Sequence, residues 1–63
     1  MFTKKDLCEC AWRELQKRRN FYPKFISAGK MKQVDADREI AKMEAVYRVL
    51  CKLDDSIFQQ VQQ

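Results

Sequence analysis

Residues 18–30 read RRNFYPKFISAGK, and the fold turns on this stretch. It holds Pro23 and Gly29, the only proline and the only glycine of the 63-residue chain, with three of its seven aromatic residues. Two local structures compete here. Pro23 at a first helical position and Gly29 just past a helix end would bracket a short turn of helix. Alternatively FYPKFI is extended, because aromatic and β-branched residues favour strand and proline drives the preceding Tyr22 out of the α region. Proline would then restrict residues 21–26 to an edge or to symmetric pairing at few positions. The extended form is the preferred expectation, with Gly29 supplying the turn into a second helix.

Upstream, TKKD at residues 3–6 has the form of a capping box, Thr3 as N-cap and Asp6 reaching back. Leu7, Ala11 and Leu15 then recur at i, i+4, i+8, with Cys8 and Trp12 beside them, as one apolar stripe of helical period. Glu9–Arg13 and Glu14–Arg18 are i, i+4 pairs in the favourable order. Lys17, Arg18 and Arg19 stand where cations complement a helix C-terminus. The expectation is a first helix over about residues 3–19.

Downstream, Ala36, Ile40, Met43, Tyr47 and Leu50 follow the 4-3 spacing of a heptad seam, and Asp54 breaks it before Ile57 and Val61. Val46, Cys51, Leu53 and Phe58 flank and widen the seam. Asp35, Asp37 and Glu39 fall in the opening turns, where negative charge is favoured, and Glu44–Arg48 adds an i, i+4 pair. A helix continuous from Gln33 to about Val61 would be roughly 43 Å long. A first helix of about 17 residues cannot cover it. The expected architecture is therefore mainly α: a short helix, a connector with a possible short strand, and a long helix, in an intertwined homodimer. The alternative is a break at LDDS, residues 53–56, with Asp55 or Ser56 capping a final turn. The expected core and dimer residues are Leu7, Ala11, Trp12, Leu15, Ile40, Met43, Tyr47, Leu50 and Ile57.

Size points the same way. The chain makes a single domain, residues 1–63, and a core this small rarely supplies more than about 3–5 kcal/mol without a metal, disulfides or a partner. With 46% hydrophobic and 35% charged residues it suits a folded helical chain, and one glycine argues against an all-β fold. The net charge of +4 is uneven: residues 1–32 carry nine Lys/Arg against three Asp/Glu, whereas residues 33–63 carry four against six. Opposite signs favour packing of the two halves. A basic patch of Lys17, Arg18, Arg19, Lys24 and Lys30 also makes nucleic acid or an acidic protein a candidate partner. No RNA-binding or zinc-finger signature accompanies that charge, and protein contact is preferred. With no apolar run of membrane-spanning or signal-peptide length, a cytoplasmic location and reduced thiols are expected.

Chemistry is scarce. Zinc wants four ligands, yet there is no histidine, and Cys8 and Cys10 on one helix point about 200° apart. Cys8 and Cys51 are expected to face the core and Cys10 to be more exposed. A nucleophile would lack a histidine base, and Asp35/Asp37 and Asp54/Asp55 read as helix-end residues. No catalytic, cofactor or metal residues are assigned. A helix-turn-helix is disfavoured by a connection of about 13 residues where three or four is usual. The aromatics Trp12, Phe21, Tyr22 and Phe25, with Ile26, are expected to line an apolar groove able to accept an amphipathic helix.

The run RRNFYPKFISAGKMKQVDADREIAKMEAVYRVL, residues 18–50, resembles a pattern of small early proteins of lambda-like temperate phages. The resemblance rests on Arg18 and Arg19, Tyr22 and Pro23, Gly29 and Lys30, Ala36 to Ile40, and Met43 to Ala45. The length and the MFTKKDLCECAW start resemble the member encoded between the recombination exonuclease and the excisionase. Lys32 departs from the Ser or Thr that relatives often place before the second helix. The resemblance implies a small helical dimer without enzymatic activity. It also implies early expression and a role favouring lytic over lysogenic development through contacts with host or phage proteins. It offers no catalytic residues to carry over.

Overall fold

A computed structural model describes residues 1–62. It consists of α1 (Lys4–Ser27), α2 (Gln33–Lys52) and α3 (Asp55–Val61), with no strand among the described residues. The capping box forms as its sequence requires: the Asp6 N–H donates to Thr3 Oγ1 at 3.2 Å, and the Thr3 N–H donates to Asp6 Oδ2 at 3.1 Å. The Thr3 backbone N–H, and after it the Thr3 hydroxyl beside the carboxylate, hold the Asp6 carboxyl below its usual pKa.

α1 does not stop near residue 19. It runs through Phe21–Ile26, so this segment is helical and the extended form is not adopted. Proline inside a helix removes one backbone bond and crowds the carbonyl four residues back, at about 3 kcal/mol. The position softens that cost. Pro23 and Arg19 lie on the same, exposed side, so water can take up the freed Arg19 carbonyl. Meanwhile Arg18, Tyr22 and Ile26 continue the inward stripe of Leu7, Ala11 and Leu15. Extending residues 21–26 would abandon that face.

Gly29 ends α1. At φ +72° it adopts the left-handed conformation, the Lys30 N–H donates to the Phe25 carbonyl at 2.8 Å, and the Gly29 N–H donates to the Ile26 carbonyl at 3.0 Å. This is a Schellman closure, which glycine enters without a Cβ penalty. The connection to α2 is Ala28–Lys32, five residues, not 13. The length objection to a helix-turn-helix accordingly shrinks. Lys32 is the N-cap of α2 and makes no side-chain cap, while Gln33 Nε2 donates to Asp37 Oδ1 at 2.9 Å.

α1 and α2 pack antiparallel, joined by Trp12 against Tyr47 toward one end and Arg18 against Glu39 nearer the turn. At 24 and 20 residues the helices span about 36 and 30 Å, so the expectation of a short helix failing to cover a long one is overturned. The cause is Asp54. Where the heptad seam breaks, α2 ends, and the Asp54 carboxylate caps α3 by accepting from the Ser56 N–H at 3.2 Å. The cap is thus Asp54, not Asp55 or Ser56.

Breaking the helix resets the phase of the residues beyond it. Phe58 is buried, and Ile57, expected in the core or at the dimer contact, is 40% exposed in the single chain. The buried apolar set is small: Ala11, Leu15, Ala36 and Phe58. Leu7, Ile40, Met43, Tyr47 and Leu50 are half-buried around it. The hairpin is long and thin, 43 × 16 × 16 Å, with a radius of gyration of 14.3 Å. A compact chain of this length would have about 11 Å.

Candidate interaction surface

The aromatic and basic residues of α1 do not make one site. One turn of helix spans 3.6 residues, so Trp12 and Phe21, nine positions apart, project from opposite sides of α1. Trp12 instead tilts against Tyr47, ring centroids 5.2 Å apart, and is itself 44% exposed rather than core. Together with Lys5, Cys8 and Glu9 this pair lines a shallow depression of about 220 Å³.

A second depression, about 230 Å³, lies further along α1 and is lined by Glu14, Lys17, Arg18, Phe21, Tyr22 and Phe25. Here the expected groove residues Phe21, Tyr22 and Phe25 do meet. The Tyr22 and Phe25 rings are 6.2 Å apart, and Lys24 Nζ sits 5.4 Å from the Phe21 ring centroid, within cation–π range. Ile26 lies outside this depression, half-buried on the side of the inward stripe. A third depression, about 430 Å³, is lined by Phe2, Asp6, Leu7, Glu9, Cys10 and Arg13 at the opening of α1. That one carries no signal in the sequence beyond an apolar residue before the cap.

The five-residue basic patch also divides. Arg18 donates from Nε to Glu14 at 3.2 Å and from Nη1 to the Glu39 carbonyl at 3.0 Å, with the Glu39 carboxylate 3.8 Å away. Arg19 reaches Glu44 at 3.2 Å, and Glu44 also pairs with Arg48. Both arginines therefore tie α1 to α2, which is the packing that the unequal charge of the two halves favours. Lys17, Lys24 and Lys30 are exposed and form no ion pair among the described residues.

The three thiols are free; Cys8 and Cys51 are half-buried and Cys10 is exposed. Desolvation, and then interaction with the Cys51 thiol, push the Cys8 thiol above its usual pKa; the same Cys51 side chain raises the Tyr47 phenol. No group of three or more His, Cys, Asp or Glu among the described residues is placed to hold a metal ion. No helix among them is long and apolar enough to cross a membrane.

What this surface offers is apolar contact area with scattered lysines. Phe2, Phe21, Phe25, Val34, Val46 and Val49 are all exposed. Compared with protein-family models, curated proteins and solved structures, the chain matches none.

Proposed function

We propose that this chain is a non-enzymatic protein that works as a homodimer through protein contacts, in the host cytoplasm, promoting lytic development of a temperate phage. The phage setting rests on the resemblance of residues 18–50 to small early proteins of lambda-like phages. The contact mode rests on surface area. The hairpin exposes 4936 Å², whereas a folded chain of 7.6 kDa exposes about 4,300 Å². The excess of roughly 600 Å² approaches the ~800 Å² that each partner of a standard interface buries. Large apolar side chains such as Phe2, Phe21 and Val49 stand in water, and burying them against a second copy is favourable at about 25 cal/mol per Å².

The Phe21–Phe25 depression, with Lys17 in its lining and Lys24 over the Phe21 ring, is the part of this surface suited to an amphipathic helix bearing acidic groups. A nucleic-acid role draws less support, because Arg18 and Arg19 are engaged with Glu14, Glu39 and Glu44. Sedimentation equilibrium at micromolar concentration tests the proposal. A mass near twice 7.6 kDa is expected, and a monomer overturns the homodimer. For the contact surface, Phe25→Ala in a folded protein is expected to weaken the lytic phenotype; an unchanged phenotype overturns that part.

A further inference from the structure

Two of the three cysteines face each other across the helix pair. Trp12 and Tyr47 stack at 5.2 Å between antiparallel α1 and α2. Cys8 lies one turn before Trp12 and Cys51 one turn after Tyr47, so the register that pairs the rings also pairs the thiols. Both are half-buried on the facing sides of their helices, and the Cys51 thiol lies near enough to Cys8 to add to the desolvation that raises the Cys8 thiol. Ala11, small and buried one turn from Cys8, lets the helices approach closely here. Cys10, by contrast, is exposed and points about 200° away from Cys8 around the helix.

We propose that Cys8 and Cys51 form a reversible intramolecular disulfide with low-molecular-weight disulfides such as oxidised glutathione, stapling the opening of α1 to the last turn of α2. One protein thiolate attacks a glutathione sulfur, the S–S bond breaks, and one glutathione leaves as thiolate and takes up a proton. The second protein thiolate then attacks the protein-side sulfur of the mixed disulfide and expels the other glutathione, which is protonated in turn. Two protein thiols are oxidised and one glutathione disulfide is reduced to two thiols; the two protons lost by the protein end on the products. In a reducing cytosol the pair stays open, and a shift of the thiol pool toward oxidation closes it. Desolvation raises the Cys8 thiol pKa, which lowers its thiolate fraction at neutral pH and moves closure to alkaline pH.

Closure ties residues 8 and 51, which bracket most of the hairpin, and removes chain entropy from the unfolded state. The apparent Tm is expected to rise by about 10 °C or more. The test treats the chain with excess oxidised glutathione at about pH 9, where the thiolate fraction is larger than at neutral pH. Mass analysis after alkylation should show a monomer with one alkylatable thiol instead of three, a peptide joining Cys8 to Cys51, and the higher Tm. Cys10→Ser should close in the same way and leave no alkylatable thiol. Glutathione adducts or Cys10-linked dimers without the Cys8–Cys51 peptide overturn the proposal. So does a Cys8–Cys51 link that leaves Tm unchanged or lowers it, since the bond would then not fit this register. Cys8→Ser should lose the link; should it fail to fold, Cys10→Ser alone decides.

Discussion

Gln62 holds the backbone of Phe2 at both of its hydrogen-bonding groups: Oε1 accepts from the Phe2 N–H at 2.7 Å, and Nε2 donates to the Phe2 carbonyl at 2.7 Å. Nε2 also donates to the Phe58 carbonyl at 2.7 Å, so one side chain ties α3 to the start of the chain. The two bonds to Phe2 depend on the turn at Leu53–Asp54 that brings the end of α3 to the start of the chain. Gln62→Ala should cost about 1 kcal/mol, the usual net worth of such bonds, felt mainly at the chain ends. Amide exchange at Phe2 should accelerate toward the unfolded rate while Tm moves little. Retained protection of that amide would show that Gln62 is not its acceptor.

Pro23 gives a test of the helix that contains it. Replacing it with alanine restores a donor to the Arg19 carbonyl and relieves the ring clash, a gain of about 3 kcal/mol in helix propensity, less about 1 for the freer unfolded chain. Pro23→Ala is therefore expected to raise the urea midpoint by an amount equivalent to about 2 kcal/mol. A loss of stability would favour the extended form of residues 21–26 instead.

Leu15 and Ile57 are equivalent in the apolar pattern but sit in opposite surroundings, one 1% and the other 40% exposed. Leu15→Ala should cost about 2–5 kcal/mol through the cavity it leaves, enough to unfold much of so small a domain. Ile57→Ala should cost under about 1 kcal/mol in the isolated hairpin. Circular dichroism melts distinguish them, and a large loss at Ile57 would mean a second copy covers it.

The capping box predicts an acid response. The Asp6 pKa lies below its usual 3.8, so its contribution is fully present above that value. It is lost as pH falls through the lower, folded-state value. Helicity of the native protein should accordingly decline below about pH 4, near the unperturbed carboxyl pKa. Asp6→Asn should flatten the part of that decline due to α1. Thr3→Ala, which removes the reciprocal bond, should cost about 1 kcal/mol at neutral pH. An Asp6→Asn profile superimposable on the native one would show that the bond from the Thr3 N–H to the Asp6 carboxylate does not form.

Local signals are reliable where the chemistry is local. The Thr3–Asp6 box, the start of α2 at Gln33, the seam from Ala36 to Leu50, the Gly29 closure and the Glu14–Arg18 and Glu44–Arg48 pairs all depend on residues within a few positions of one another. The interaction surface is legible only in part. Phe21, Tyr22 and Phe25 do share a depression, but Trp12 belongs to another face because α1 continues unbroken between them. In sequence Arg18 has only Glu14 in view and Arg19 no partner; α2 brings Glu39 beside the first and Glu44 beside the second.

By itself, then, the sequence determined a helical chain, the Thr3–Asp6 cap, the apolar stripes of α1 and α2, and a surplus of apolar surface. These are set by period, propensity and neighbouring hydrogen bonds. Tertiary structure alone decided that α1 runs through Pro23, because Tyr22 and Ile26 belong to a face already committed to α2 and because the lost acceptor lies toward water. It alone decided that Asp54 ends α2 rather than interrupting a seam, which turned Phe58 inward and Ile57 outward. Only the antiparallel register brought Cys8 opposite Cys51. Each outcome balances a local cost against contacts made by residues far away in the chain, and no window of sequence contains both sides.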